Sequence, residues 1–508
     1  NGRSNAANAG STEENVLSTK EDGILVETAK TTVIMKKISL FIVTALLSFS
    51  AMSQGKKSFT LDDLLPGGST FQQLQPENMY TAWWGNTLVE TAIDGCNEIN
   101  LSDGSKKVLF TLEQLNQWLG AEKDAPAVRS GFNLTFPDAG QPWVAAVISG
   151  KATSDDRRTR IYTVTDFKTG TKVWEQEYPA DASAIDRSPV SKNMAFIRRN
   201  NLYVTTADGE NMAVSTDGYH DLVYGEAVHR NEFGIMKGTF WSPDGQQLAF
   251  YRMDQSMVAD YPQVDITTRI ATLCPDKYPM AGEKMHKVTV GIFTPATGKT
   301  VWLQTGDPTD RYFTNITWAP DNRKIYMIEL NRDQNHAELV RYDAATGSKD
   351  GVIYEEKHPK YVEPQHGLLF LPWDSSKFIY QSQRDGYNHL YLFDLKTKTY
   401  PETRNTANGG TCREFVKVTP LTSGEWVVKN VIGFNEKEKT LLYCSNEIHP
   451  LQSNIYKVRA KDGKRSLLDN GEGVHYGNPN ADGSRLIDRY SSPTVTRSIG
   501  ILDTKNGK

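Results

Sequence analysis

One short unit recurs along this chain and constrains its fold more than any other feature: an aromatic residue, a turn built on Ser-Pro or Asp-Gly, then an apolar run. Its fullest copy is Phe240-Trp241-Ser242-Pro243-Asp244-Gly245, followed by Leu248, Ala249, Phe250 and Tyr251. The four turn residues close a tight reversal, and an uninterrupted apolar run behind it suits a strand buried on both faces. Partial copies stand at Phe136-Pro137-Asp138, Ser188-Pro189, Trp318-Ala319-Pro320-Asp321 and Asn480-Ala481-Asp482-Gly483. A second half-unit, a strand running into a Thr-Gly-like turn, recurs from Ile161 (IYTVTDFKTGTKV), Val290 (VGIFTPATGKTV), Leu339 (LVRYDAATG) and Leu390 (LYLFDLKTK). The units are spaced by about 45 to 75 residues, longer than a minimal propeller blade, so loops of uneven length are inserted.

This pattern predicts an all-β chain, a β-propeller of seven or eight four-stranded antiparallel blades that pack face to face. A circular array grows blade by blade, so 508 residues fit one such domain. Ten Trp, 22 Tyr, 39 Gly and 22 Pro suit short aromatic strands separated by turns. The single helix expected runs from Thr111 to Gly120, with a short turn at Leu61 to Leu65. The interval from Asp254 to His286 carries no blade signal and holds Pro262, Pro275, Pro279 and Gly282, so it reads as a long excursion out of a blade.

Met35 to Gly55 has a Lys-Lys start, an apolar run from Ile38 to Phe49 and small residues before Gln54. That is the layout of a secretory signal peptide cleaved near Ser53-Gln54. A short membrane anchor is the alternative, but the run falls below the ~20 residues that span a bilayer. The expected organisation is therefore an upstream extension over 1–34, a signal peptide over 35–53, a lead-in over 54–78 and the propeller over 79–508. Export to the periplasm or the cell exterior follows.

A formal charge of -4 provides no field for nucleic acid. Cys96, Cys274, Cys412 and Cys444 lie far apart with no Cys-x-x-Cys pair, so no metal site is implied. In an exported protein Cys412 and Cys444 are the pair to expect in a disulfide if adjacent strands bring them together; buried free thiols are the other reading. No Gly-x-Ser-x-Gly, HExxH or Walker loop occurs, and none of the nine histidines is assigned a catalytic role.

Five stretches carry a family resemblance: VHRNEFGIMKGTFWSPDG (Val228 to Gly245), LAFYRMDQSMV (Leu248 to Val258), YPMAG (Tyr278 to Gly282), HKVTVGIFTPATGKTVWLQTGDP (His286 to Pro308) and SQRDGYNHLYLFD (Ser382 to Asp394). From roughly Phe59 to Asn506 the chain resembles the amino-terminal propeller of the dipeptidyl peptidase IV branch of the prolyl oligopeptidase clan, most of all bacterial prolyl tripeptidyl peptidases. The resemblance implies eight blades and a serine exopeptidase that releases di- or tripeptides after proline. It also implies that the catalytic residues lie on an α/β-hydrolase domain, which would begin about where this sequence stops, at Lys508, so the chain by itself is expected to be inactive. No cofactor is implied. The expected partners are peptides with a free amino terminus, the hydrolase domain in cis and a second copy in a homodimer, with the 254–286 excursion contacting either that copy or the hydrolase domain.

Glu232 is the site residue the resemblance selects. In the family a propeller glutamate holds the substrate's α-amino group, and VHRNEFGI places Glu232 in that role. An exopeptidase must measure distance from the amino terminus, and a fixed carboxylate facing an ammonium does so through charge-assisted hydrogen bonds. Where such a pair is desolvated, truncating one partner costs about 2–5 kcal/mol. Without the resemblance, Glu232 reads first as a surface carboxylate paired with His229, Arg230 or Lys237, and the resemblance reverses that order. Dipeptidyl peptidase IV carries two adjacent glutamates here, whereas the neighbour in this chain is Asn231, which agrees better with tripeptide release. Arg384, Asp385, Tyr361 and Glu363 lie on segments that either face the central cavity or form ordinary turns at the blade rim. A different class of function is a stand-alone secreted propeller that binds peptide or protein without chemistry.

Overall fold

The computed structural model describes residues 58–76, 78–122, 125, 127–150 and 158–508. The upstream extension and the signal-peptide reading fall outside these residues. The chain divides into a unit ending at Pro76 and a unit from Glu77 to Lys508. In the first, a short helix Leu61–Leu64 is followed by a 3-10 turn Phe71–Leu74. Its helix bears Asp63 at the third position, which accepts from Thr60 N–H and Oγ1, a capping box in one turn.

The second unit is an eight-bladed propeller of antiparallel sheets in chain order. Blade 1 covers 81–111, blade 2 143–179, blade 3 183–213, blade 4 222–302, blade 5 311–357, blade 6 369–420, blade 7 428–467 and blade 8 474–503. The expected helix is Leu112–Trp118, between blades 1 and 2, where Thr111 and Gln114 close a reciprocal capping box.

The continuous apolar strands follow from burial on both faces. In blade 5, strand Lys324–Asn331 sends Ile325 and Met327 into a cluster with blade 4, while Tyr326, Ile328 and Leu330 enter a cluster with blade 6. In blade 4, Leu248 and Phe250 face blade 3, and Ala249 and Tyr251 face blade 5. The period-2 alternation thus serves two cores at once. Among the described residues the buried apolar side chains form eight clusters, one at each junction between neighbouring blades, including the junction that joins blade 8 back to blade 1.

The aromatic of the repeat has its own task. Trp241 Nε1 donates to Asp186 O of blade 3, Trp318 Nε1 to Phe240 O of blade 4, and Trp83 Nε1 to Asn478 O of blade 8. Each indole packs against the preceding blade and satisfies a backbone carbonyl there. The turn that follows is closed by Ser242 Oγ donating to Asp244 Oδ1 at 2.6 Å. Gly245 then adopts a φ of +68°, and a Cβ there would lie 2.3 Å from Ser188 Oγ. The ring is completed by Arg489 of blade 8, which donates to Thr81 O and Oγ1, and by Leu88 and Ile99 packing on Ile487.

One expectation is corrected, and the choice left open for the cysteines is decided for free thiols. Among the described residues only four of the eight blades are four-stranded: blades 2 and 8 have three strands, blade 4 has five and blade 5 has six. Blade 5 gains two because the loop inside blade 6 returns to its outer edge, where Thr411–Glu414 pairs with Lys349–Lys357 and Thr403–Asn405 pairs in turn. That return also separates the cysteines. Cys412 sits on this added strand of blade 5 and Cys444 on strand Thr440–Ser445 of blade 7, and both are buried free thiols.

Between strands Leu248–Asp254 and Lys287–Thr294 of blade 4, the excursion forms a two-step ribbon. Asp260–Tyr261 pairs with Asp276–Lys277 at its base and Val264–Asp265 with Thr272–Leu273 farther out. Val264, Ile266, Ile270 and Leu273 are 58–81 % exposed, so the outer half presents apolar side chains to solvent.

Candidate functional site

The segment that carries Glu232 leaves blade 4 after strand Leu222–Tyr224 and returns at Thr239–Trp241. Its conformation is unusual. His229, Arg230, Asn231 and Phe233 all have φ between +54° and +63°, whereas Glu232 between them is extended at φ -63°, ψ 163°. Each left-handed non-glycine residue costs about 1–2 kcal/mol, so surrounding contacts must hold the segment.

Those contacts come from every side. Phe233 is buried in the blade 5–6 core, edge-on to Tyr312 at 5.2 Å. His229 is buried, accepting the Phe313 N–H at Nε2 and bonded through Nδ1 to His286 Nε2 at 2.7 Å. Asn231 Nδ2 donates to Ile235 O, and Ile235 N–H returns to Glu232 O. Arg230 Nη1 reaches Asp276 Oδ2 at 2.9 Å and stands over Tyr278, tying the segment to the base of the ribbon. Gly234, at φ +72°, passes so close to Gln365 that a Cβ would sit 2.1 Å from its carbonyl oxygen.

The Glu232 side chain itself projects into solvent. Among the described residues no hydrogen bond or ion pair engages its carboxylate, and the three partners that a structural role would use are occupied elsewhere. His229 is bonded to His286 and Phe313, Arg230 to Asp276, and Lys237 to Asp186. A rigidly presented carboxylate without a local counter-ion is an available acceptor for a cationic ligand.

Beside this segment lies a cavity of about 340 Å³ whose wall includes Glu356, His358, Tyr361, Glu363, Tyr380 and Ser382. The 362–366 stretch is common to both: Pro364 lines the cavity and accepts from Asn315 Nδ2, and Gln365 meets Gly234. Glu356 is buried and accepts from Tyr354 Oη and Ser382 Oγ, each at 2.9 Å. Burial raises its carboxyl above the ordinary range, against the pull of those hydroxyls and of Arg384. The cavity therefore offers a second acidic wall, with Tyr361 and Glu363 on it as the sequence reading allowed.

Arg384 and Asp385 behave otherwise. Arg384 is buried between the rings of Tyr391 and Tyr354, with Nη1 on Glu414 at 2.8 Å, and Asp385 accepts from Tyr391 Oη. Arg384 supports blade packing and Asp385 stands in an exposed turn, and neither lines the cavity. Three ligand-type groups come together only at His336, Glu338 and Glu355 among the described residues, yet Glu355 already accepts from Lys357 and Arg413. The contacts that sequence reasoning missed are the His229–His286 pair and the Arg230–Asp276 link, since nothing in the spacing shows that a loop and the foot of a distant ribbon meet.

Residues 149–497 match the family model described as Dipeptidyl peptidase IV (DPP IV) N-terminal region. Among curated relatives, a Phaeosphaeria nodorum protein carried under the name dipeptidyl-aminopeptidase B is 27% identical over 66% of this chain and 39% of its own length. An Emericella nidulans protein carried as dipeptidyl peptidase 4 is 24% identical over 80% of this chain and 51% of its own. A crystal structure of a Bacteroides ovatus protein, described as a candidate dipeptidyl aminopeptidase IV, superposes with a TM-score of 0.80 at 44% identity, covering 89% of this chain and 62% of that one. Porphyromonas gingivalis dipeptidyl peptidase 4 shares the fold at 21% identity and a TM-score of 0.67, over 90% of this chain and 62% of that one. The chain thus spans about two fifths to three fifths of the length of these relatives.

Proposed function

The chain belongs to the family of dipeptidyl peptidase IV N-terminal regions, and from that premise we propose that it is the substrate-reading propeller of an exported serine exopeptidase that releases short peptides ending in proline. Glu232 holds the substrate's α-ammonium and so sets how many residues reach the nucleophile. The ring restricts entry to short or unfolded peptides. The nucleophile, its histidine and its acid belong to an α/β-hydrolase domain that acts together with this propeller.

The observation that carries this reading is the state of Glu232: exposed, extended within a segment of left-handed residues, and unpaired while His229, Arg230 and Lys237 are engaged elsewhere. A carboxylate held this way is suited to binding an ammonium and contributes little to the fold. Asn231 beside it leaves a single anchoring carboxylate, which favours tripeptide over dipeptide release. The test is hydrolysis of Xaa-Pro and Xaa-Xaa-Pro anilides by the full-length enzyme, each with a free or an acetylated amino terminus. Faster cleavage of the unblocked tripeptide substrate than of the dipeptide or either acetylated substrate is expected; equal cleavage of acetylated substrates would refute amine anchoring.

The ribbon is proposed as the contact with a second copy, because Val264, Ile266, Ile270 and Leu273 leave an apolar tip in solvent. Replacing both Ile266 and Ile270 by aspartate is expected to convert a dimer to a monomer in light scattering without changing the β-sheet circular dichroism. A wild-type chain that runs as a monomer at micromolar concentration would remove this assignment.

A further inference from the structure

The segment bearing Glu232 is strained, and its buried supports include an imidazole pair. His229 and His286 are 2 % and 4 % exposed, and the second immediately precedes the strand Lys287–Thr294 that follows the ribbon. The hydrogen bonds admit one arrangement of protons. The Phe313 amide donates to His229 Nε2, so that nitrogen carries no proton and the ring's single proton is on Nδ1. Nδ1–H then donates to His286 Nε2, which must be bare, leaving the His286 proton on Nδ1. A proton added to His229 Nε2 would confront the Phe313 N–H, and one added to His286 Nε2 would confront His229 Nδ1–H. Either addition breaks a buried hydrogen bond.

Resting on the amine-anchor reading of Glu232, we propose that His229 is a positioning residue for Glu232 and that the His229–His286 pair is an acid switch: neutral, it holds the Glu232 segment in its binding shape, and protonated, it releases it. His229 lies three residues before Glu232 and is tied to the first strand of blade 5, so loss of its bonds frees one end of a segment whose left-handed residues would otherwise relax.

The surroundings favour the neutral state. Burial holds the His229 ring well below its ordinary pKa, and the charge of His286 adds to this. Burial, with Arg332 and Arg230, lowers His286 from 6.5 to about 4. These two arginines are the charges that face the pair, and each is partly balanced, Arg230 by Asp276 and Arg332 by Asp310. From blade 5 the Tyr312 ring stands edge-on to His229, and Glu329, opposite Phe313 on the next strand, is taken up by Arg311 and Tyr342. Because the folded values are depressed, the support is complete above about pH 6.5 and is lost progressively as pH falls towards about 4.

Amide exchange read by mass spectrometry on the wild-type chain tests this without any variant. After correction for intrinsic rates, protection in residues 228–236 and at the Phe313 amide is expected to fall at least about tenfold between pH 7 and pH 4.5, while strands of blade 7 keep theirs. His229→Ala should expose the segment at both pH values. His229→Gln, whose amide oxygen can accept the Phe313 N–H but cannot titrate, should restore protection at pH 7 and, with only His286 left to titrate, weaken the pH dependence. Wild-type protection that stays flat to pH 4.5, or a His229→Ala segment as protected as wild type, would overturn the switch. Glu232→Gln is expected to leave exchange unchanged in this chain while sharply reducing the preference for a free amino terminus in the full-length enzyme. If that preference survives, the anchor reading fails and the exchange result still judges the switch.

Discussion

Replacing Glu232 by glutamine is expected to lower kcat/KM for unblocked peptides by roughly ten- to hundred-fold in the enzyme built on this propeller, with KM for acetylated peptides unmoved. A hydrogen bond to a charged group is worth about 1.5–3 kcal/mol, and each 1.4 kcal/mol is tenfold. The estimate lies below the 2–5 kcal/mol of a fully desolvated pair because Glu232 is solvent-exposed in this chain, and glutamine keeps one acceptor oxygen. Thermal stability should hardly change, since no described residue pairs with the carboxylate. That combination, lost recognition with an intact fold, separates a ligand-binding carboxylate from a structural one. A variant that melts earlier but cleaves normally would place Glu232 among the structural charges.

The opposite pattern is expected of Phe393→Ala. Phe393 is fully buried at the blade 5–6 junction, stacked on Phe378 at 5.0 Å and edge-on to Tyr354 and Tyr380. Truncating a buried phenylalanine to alanine costs about 3–5 kcal/mol, the transfer term plus an unfilled cavity. The aromatic geometry adds to that cost, because each lost partner had an offset or edge contact. The same cluster holds Phe233, so the damage should spread to the Glu232 segment as weakened peptide binding. Denaturant unfolding monitored by tryptophan fluorescence gives the stability loss. A loss below 1 kcal/mol would mean that the junctions between blades are looser than the packing implies.

Much of the ring was legible because its rule is local. The run Leu248 to Tyr251 has no polar position, which only a strand buried on both faces tolerates, and its alternate residues do enter the two flanking cores. The aromatic before Ser-Pro was visible as a repeat, but its purpose was not: the indole N–H of Trp241 and Trp318 reaches a carbonyl of the preceding blade, a contact that exists only once blades are neighbours. Strand count was misjudged for a related reason. Thr411–Glu414 pairs with an edge of blade 5 although the chain is then inside blade 6, and nothing in its own composition selects one edge over another. The choice left open for the cysteines, disulfide or buried free thiols, turned on the same return, since Cys412 was carried to blade 5 and away from Cys444.

For the site, Glu232 stood out only through resemblance, as a lone carboxylate has no periodicity. The structure adds why it is available. Its neighbours His229, Arg230 and Lys237 look in sequence like its counter-ions, yet each is drawn off by a group distant in the chain, His286, Asp276 and Asp186 respectively. Left-handed backbone at four non-glycine positions was equally invisible, because it is imposed by tertiary contacts against the local preference of those residues.

The most direct measurement is a structure of this chain with a tripeptide ending in proline. The account predicts the peptide's ammonium nitrogen within about 3.2 Å of a Glu232 carboxylate oxygen. An ammonium seated on Glu356 or Glu363, with Glu232 still in water, would contradict it.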